Sequence, residues 1–179
     1  PTGWQGGLPF TYRLEGGKDL KVRLKVDQKR EFVRANNVVG TLKGSDTPDE
    51  WVILGCHFDA WSFGSTDPNS GTAMLLSLSE TLGQLAKDGK SPKRSILIAH
   101  WDAEEHGVIG STEWVEQFRE ELGAKAVAYI NLDAAVSGRN FGASSSPTLK
   151  KIIMESAKAV VFPDSAKSVF EVWAKNQPE

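Results

Sequence analysis

The chain has 179 residues, 40% of them hydrophobic, with a formal net charge of −2, which leaves room for one globular core and makes one domain the default. With so weak a charge and no Lys/Arg block there is no electrostatic reason to expect nucleic acid, and no apolar run approaches the roughly 20 residues that span a bilayer. The opening PTGWQGG does not resemble a signal peptide, and the lone Cys56, set in an apolar run, reads as a buried thiol.

Residues 1–17 are aperiodic and rich in glycine, and read as a connecting arm. From Lys18, KDLKVRLKVDQ sets Leu20, Val22, Leu24 and Val26 against Lys21, Arg23 and Lys25, the alternation of a half-buried antiparallel strand. A second strand is expected over Glu31–Leu42 with Gly40 as a bulge, then a turn at GSDTPDE, together a hairpin-like edge. Trp51–Cys56 looks buried on both faces. After Asp67-Pro68, Asn69 or Ser70 caps a helix that runs through Leu85 and stops at Gly89 and Pro92. Arg94–Trp101 is a second buried strand, followed by the loop DAEEHGVIGS and a helix over Thr112–Leu122. Ala126–Leu132 is a third, closing on Asp133. A helix over Pro147–Val161, with proline in its first turn, and a short one over Ser165–Lys175 complete the chain. Strands alternating with helices argue an α/β fold with a parallel sheet flanked by helices.

His57 and Asp59 follow the first buried strand, Glu104 and Glu105 the second, and Asp133 the third. Parallel strands end on one side of a sheet, so these positions converge there. Carboxylates gathered in one place repel and shift toward neutrality unless a cation offsets them. Imidazole with carboxylate oxygens suits zinc, and two ions sharing a carboxylate could activate water and polarise a carbonyl. Neighbours in an extended loop point different ways, so one of Glu104 and Glu105 is expected to bind metal and the other to take a proton.

The motifs H-x-D at His57 to Asp59, D-P-x-S-G at Asp67 to Gly71, W-D-A-E-E at Trp101 to Glu105, G-S-T-E-W at Gly110 to Trp114 and A-Y-I-N-x-D at Ala128 to Asp133 resemble the glutamate carboxypeptidase II branch of the co-catalytic zinc aminopeptidases and carboxypeptidases. The likeness runs from about Asn36 to Val160. It implies a three-layer α/β/α sandwich with a mixed, mostly parallel sheet, incomplete at the C-terminus, and an exopeptidase that removes terminal residues of small peptides with water activated by zinc. By the same resemblance His57 and Asp133 bind one zinc, Asp67 bridges to a second, and Glu105 binds that second ion. Glu104 is the general base, Asp59 hydrogen-bonds His57, and the peptide after Asp67 is cis. Glu113 and Glu116 match positions that help hold a structural calcium. The full-length relatives imply a homodimer working mostly outside the cytosol.

Three departures accompany the resemblance. The family's fifth ligand, a histidine, falls beyond the point matching Glu179, and neither His100 nor His106 replaces it on motif grounds. Residues 1–17 resemble only the exit of a protease-associated domain, leaving 18–179 as a partial peptidase domain. Ala143 stands where the glutamate-preferring enzyme carries an arginine, so a preference for glutamate is not implied. Ser70 reads as a helix cap, and Trp61 as packing against the core rather than touching substrate. The rival from another class is a catalytically silent receptor or interaction module of the transferrin-receptor type, against which the retained His57, Asp67, Glu104, Glu105 and Asp133 speak. The isolated chain is expected to bind at most one zinc firmly and to have little peptidase activity.

Overall fold

The computed structural model describes residues 16–175. The arm expected over 1–17 lies outside them except for Gly16 and Gly17, and the contacts divide the chain after Arg34. In the first unit the Leu20 amide closes a turn on the Gly17 carbonyl at 3.0 Å. No strand forms among its described residues, 16–34, and Leu20, Val22, Leu24 and Val26 are exposed. The expected half-buried strand is therefore corrected. Alternation specifies a strand only where a neighbour supplies the ladder and an apolar surface, and none of the described residues does so here.

The second unit runs β1 (Val38–Leu42), β2 (Thr47–His57), α1 (Asn69–Lys87), β3 (Arg94–Trp101), α2 (Ile109–Gln117), α3 (Arg119–Lys125), β4 (Ala126–Asn131), α4 (Lys150–Ala159) and α5 (Val169–Lys175). The sheet order is β1-β3-β2-β4. Strand β2 is parallel to both β3 and β4, while β1 runs antiparallel to β3. So β1 is an edge, but not half of a hairpin with the chain before it. Its pairing runs without a slip from Val38 opposite His100 to Leu42 opposite Ile96, so Gly40 is not a bulge. The strand also starts at Val38 rather than Glu31, because the Asn36 amide and the Asn37 side chain bond instead to Asp102 and Gly110.

Because successive side chains on a strand point to opposite faces, β2 and β3 serve two cores. Ile53, Leu97, Ala99 and Trp101 form one cluster, covered by Trp114 of α2 and Leu122 of α3. On the other face Cys56 is fully buried with its sulfur 3.8 Å from the Thr72 hydroxyl of α1. Helices thus lie on both faces of a mixed sheet, an α/β architecture in three layers. Two glycines make the approach possible. A Cβ on Gly55 would strike the Tyr129 hydroxyl, which accepts a 3.0 Å hydrogen bond from the Trp101 indole, and a Cβ on Gly71 would strike the Leu132 carbonyl.

Three expectations differ in detail. The helix placed over Thr112–Leu122 starts at Ile109 and is broken at Phe118, whose φ of −105° and ψ of 20° open the backbone. Strand β4 forms where expected but is not buried, with Val127, Tyr129 and Ile130 nearly half exposed. It is the edge of the described sheet, so an apolar run suited to cover on both faces has a paired neighbour on one side alone. Helix α4 begins at Lys150, after a turn in which the Leu149 amide bonds to the Ser146 carbonyl at 3.1 Å. No helix of the described residues is long and apolar enough to cross a membrane.

Gly71 sets how closely α1 approaches the end of β4. Gly71→Ala is expected to cost about 1–3 kcal/mol through overpacking, read as a lower urea midpoint at unchanged slope. A midpoint equal to that of the parent would show that the helix does not sit this close.

Candidate metal centre

His57 is the last residue of β2, Asp133 follows the end of β4, and Asp67 closes the loop before α1. The Asp67-Pro68 peptide is cis, as the resemblance implies. The His57 ring is 1% exposed. Its Nδ1 is 2.8 Å from the Asp59 carbonyl, and its Nε2 is 2.9 Å from Asp67 Oδ1 and 3.1 Å from Asp133 Oδ1. Since a carbonyl can only accept, Nδ1 carries a proton and donates it. In the neutral ring that leaves the Nε2 lone pair facing the two carboxylates. One ligand atom from each of His57, Asp67 and Asp133 lies within 4.8 Å of the others.

The second group of acids comes from the turn after β3. Glu104 Oε2 stands 3.9 Å from His57 Nε2. Glu105 points elsewhere, its Oε1 accepting the Trp61 amide at 3.4 Å, and it is not part of the three-residue cluster. Asp59 joins the two groups in a way its motif does not reveal. Its backbone carbonyl, not its carboxylate, takes the closer bond from the imidazole, while its carboxylate accepts the Glu104 amide at 2.9 Å and the Glu105 amide at 3.2 Å. Thr72, which no motif singles out, donates its hydroxyl to the His57 carbonyl at 2.9 Å.

The remaining candidates lie apart. Glu113 and Glu116 are exposed on α2, and among the described residues no third acidic or histidine side chain joins them in a metal-sized group. His100 is half-buried on β3, where burial lowers its pKa. His106 is exposed, its ring 5.2 Å from that of Trp61. Trp61 is itself 63% exposed, so it packs against this histidine rather than into the core. Ala143 is exposed outside regular structure. Ser70 is not the cap of α1. The cap position is Pro68, and the Ser70 hydroxyl donates back to the Thr66 carbonyl at 2.6 Å and accepts the Val136 amide at 3.1 Å. A serine already inside the first turn is placed to bond backward in this way.

Electrostatics follow from the crowding. Burial disfavours the charged imidazolium of His57, but the Asp133 carboxylate, the Asp59 carbonyl and the Glu104 carboxylate outweigh it, and the net shift is upward. Burial likewise works to raise Asp59, yet the amides of Glu104 and Glu105 and the charge of His57 hold it below the ordinary carboxylate range. Burial raises Glu104; His57 opposes this, the carboxylates of Asp133, Glu105 and Asp59 add to it, and Glu104 ends above its ordinary value. Among the described residues no lysine or arginine pairs with Asp59, Asp67, Glu104, Glu105 or Asp133.

The donor set fits a divalent ion. Ligands about 2 Å from a tetrahedral zinc stand a little over 3 Å apart, and zinc accepts imidazole with carboxylate. The Nε2-to-oxygen separations of 2.9 and 3.1 Å are close to that spacing. Asp67 is 57% exposed, so the cluster opens to solvent on its carboxylate side.

The sequence profile of peptidase family M28 matches residues 37–174. The chain is 50% identical over 143 residues to a probable glutamate carboxypeptidase, LAMP1, of Arabidopsis thaliana, covering 79% of this chain and 21% of that protein. It is 39% identical over 186 residues to the aminopeptidase NAALADL1 of Mus musculus, covering 98% and 25%. The solved structure of a peptidase M28 precursor from Shewanella amazonensis SB2B superposes with a TM-score of 0.51 at 26% identity, over 68% of this chain and 27% of that one. The chain thus spans between a fifth and a quarter of the length of these two curated relatives.

Metal must displace a proton from His57, whose folded pKa is raised from its ordinary 6.5. Zinc affinity is therefore expected to be full at alkaline pH and to weaken as pH falls, starting above 6.5. Calorimetric titration in two buffers of different ionisation heat would read the proton release. His57→Ala should lower affinity by more than about 100-fold, since even outer partners of a ligand are worth about 10–100-fold. Zinc binding unchanged by pH and by His57→Ala would exclude this centre.

Proposed function

The chain belongs to peptidase family M28, and from that premise we propose that it carries the catalytic centre of a zinc-dependent exopeptidase acting on the terminal residues of small peptides. The observation that supports the reading is the convergence of His57 Nε2 with one oxygen each of Asp67 and Asp133. Glu104 lies 3.9 Å from that nitrogen on an independent turn. The names of the relatives, a glutamate carboxypeptidase and an aminopeptidase, agree on exopeptidase chemistry and differ on the end attacked.

His57, Asp67 and Asp133 would hold the zinc, and Glu105 would serve as a ligand of a second ion. Bound zinc would supply a Lewis acid that acidifies water and polarises the scissile carbonyl. Glu104 takes the proton of the attacking water and delivers it to the leaving amine. A base works best with its pKa near the operating pH, and the upward displacement of Glu104 by burial and by its acidic neighbours moves it that way. Asp59 orients both partners at once, its carbonyl fixing the imidazole and its carboxylate fixing the backbone of Glu104 and Glu105. The exposed side of Asp67 leaves room for the peptide terminus.

The test is hydrolysis of a panel of N- and C-terminally blocked dipeptides by the intact, zinc-loaded protein that contains this sequence. Turnover is expected only where the appropriate terminus is free. Glu104→Gln should lower kcat by about 100- to 10,000-fold, the usual contribution of a positioned base, while the zinc content stays at the parent value. Cleavage of doubly blocked peptides, or parent-level turnover by Glu104→Gln, would sink the proposal.

A further inference from the structure

Glu104 and Glu105 sit in the turn that leaves β3 and enters α2, and its backbone is held in an unfavourable shape. Ala103 (φ 54°) and Val108 (φ 59°) both occupy the left-handed region, where a side chain crowds its own backbone. Residues stay there only when surrounding bonds over-determine them. Some of those bonds lie within the turn. The Val108 amide meets the Glu104 carbonyl at 2.7 Å, the Ile109 amide the Ala103 carbonyl at 3.1 Å, and the Gly110 amide the Asp102 carbonyl at 3.0 Å.

One side chain from outside ties both ends of the turn. Asn37 Oδ1 accepts the Asp102 amide at 3.0 Å, and Asn37 Nδ2 donates to the Gly110 carbonyl at 2.8 Å. The Asp102 carboxylate reinforces the same corner, taking the Ala103 amide at 2.8 Å and the Asn36 amide at 2.8 Å. Gly110 leaves just enough space, since a Cβ there would strike both Asn37 Oδ1 and the Asp102 carbonyl. The chemistry of the two rims admits few alternatives. An amide needs an acceptor and a carbonyl needs a donor, and a carboxamide presents both side by side. Aspartate would set an oxygen against the Gly110 carbonyl.

The geometry points to Asn37 as a positioning residue for Glu104. It clasps the ends of a strained turn so that the Glu104 amide meets Asp59 at 2.9 Å and the Glu104 carboxylate stands 3.9 Å from His57 Nε2. This rests on the reading of Glu104 as the proton carrier. The Asn37 side chain bonds to the backbone at Asp102 and Gly110, not to any proposed metal ligand, and acts through the backbone of the turn.

A double-mutant cycle in the intact, zinc-loaded protein tests it. Asn37→Asp is expected to lower kcat by about 10- to 100-fold, the loss typical of a base displaced by about 1 Å, with KM and zinc content unchanged. In a Glu104→Gln background the same change should cost nothing further, because the group it positions is already gone. Hydrogen exchange should quicken at Asp102 through Ile109 and not in the strands. Asn37→Ser, which adds no charge, is carried through the same cycle in case Asn37→Asp does not fold. If Glu104→Gln retains the parent rate, the reading of Glu104 falls and the inference with it. If Glu104→Gln is crippled but the Asn37 variants keep the parent rate, or reduce the residual rate of Glu104→Gln by the same factor as they reduce the parent's, the inference alone is overturned.

Discussion

Everything at the carboxyl end of this sheet is arranged around an imbalance of charge. Asp59, Asp67, Glu104 and Asp133 surround a single imidazole, with Glu105 on the same turn as Glu104, and no lysine or arginine among the described residues pairs with any of the five. Two carboxylates about 4 Å apart repel by about 1 kcal/mol in water and about 4 kcal/mol at a dielectric typical of a protein surface. Such a cluster must take up protons or a cation. The upward shifts of His57 and Glu104 are the first response, each group holding a proton more tightly beside the gathered carboxylates. A divalent ion relieves the repulsion with more charge in less space, and the proton it expels from His57 is the link between acidity and metal affinity.

The fold creates that imbalance by topology. Strands β2, β3 and β4 run the same way, so His57, the Glu104 turn and Asp133 emerge at one edge although they are far apart in the chain. The helix that follows Asp67 is held against the end of β4 by the absence of a side chain at Gly71. The elements that bring the acids together are anchored in buried, apolar packing around Leu97, Ala99, Trp101 and Cys56. Burial elsewhere thus offsets a locally unfavourable arrangement, a pattern expected where function rather than stability selects the residues.

How much of this could be read from the sequence depended on the range of the interaction. The strands β2 and β3 and helix α1 were legible because a buried element writes its period into a few consecutive residues, and the convergence of His57, Glu104 and Asp133 was legible because they sit where strand runs stop. Features set by distant partners were not. KDLKVRLKVDQ has the alternation of a strand without a described partner to pair with, and β4 has the apolar run of a buried strand at an exposed edge. Ser70 carries the residue type of a cap, but its position inside the first turn turns its hydroxyl backward to Thr66. Asp59 shows the limit most clearly. The resemblance implies a hydrogen bond from Asp59 to His57, and the closer bond comes from its carbonyl while the carboxylate serves the turn after β3.

That exchange of roles makes the centre one unit rather than two adjacent groups. A carboxylate bonded to His57 alone would orient the imidazole and leave the acids after β3 to their own strained turn. By dividing its backbone and side chain between them, Asp59 fixes the distance between the ring and Glu104, while Asn37 holds the far ends of the same turn at Asp102 and Gly110. The buried ring is locked, and the exposed Asp67 carboxylate has freedom to adjust. This division suits hydrolytic chemistry, in which the group that moves the proton must be placed more strictly than a ligand that can follow its ion. The left-handed backbone at Ala103 and Val108 is the local strain of that strict placement, sustained by bonds that reach into the turn from two other segments of the chain.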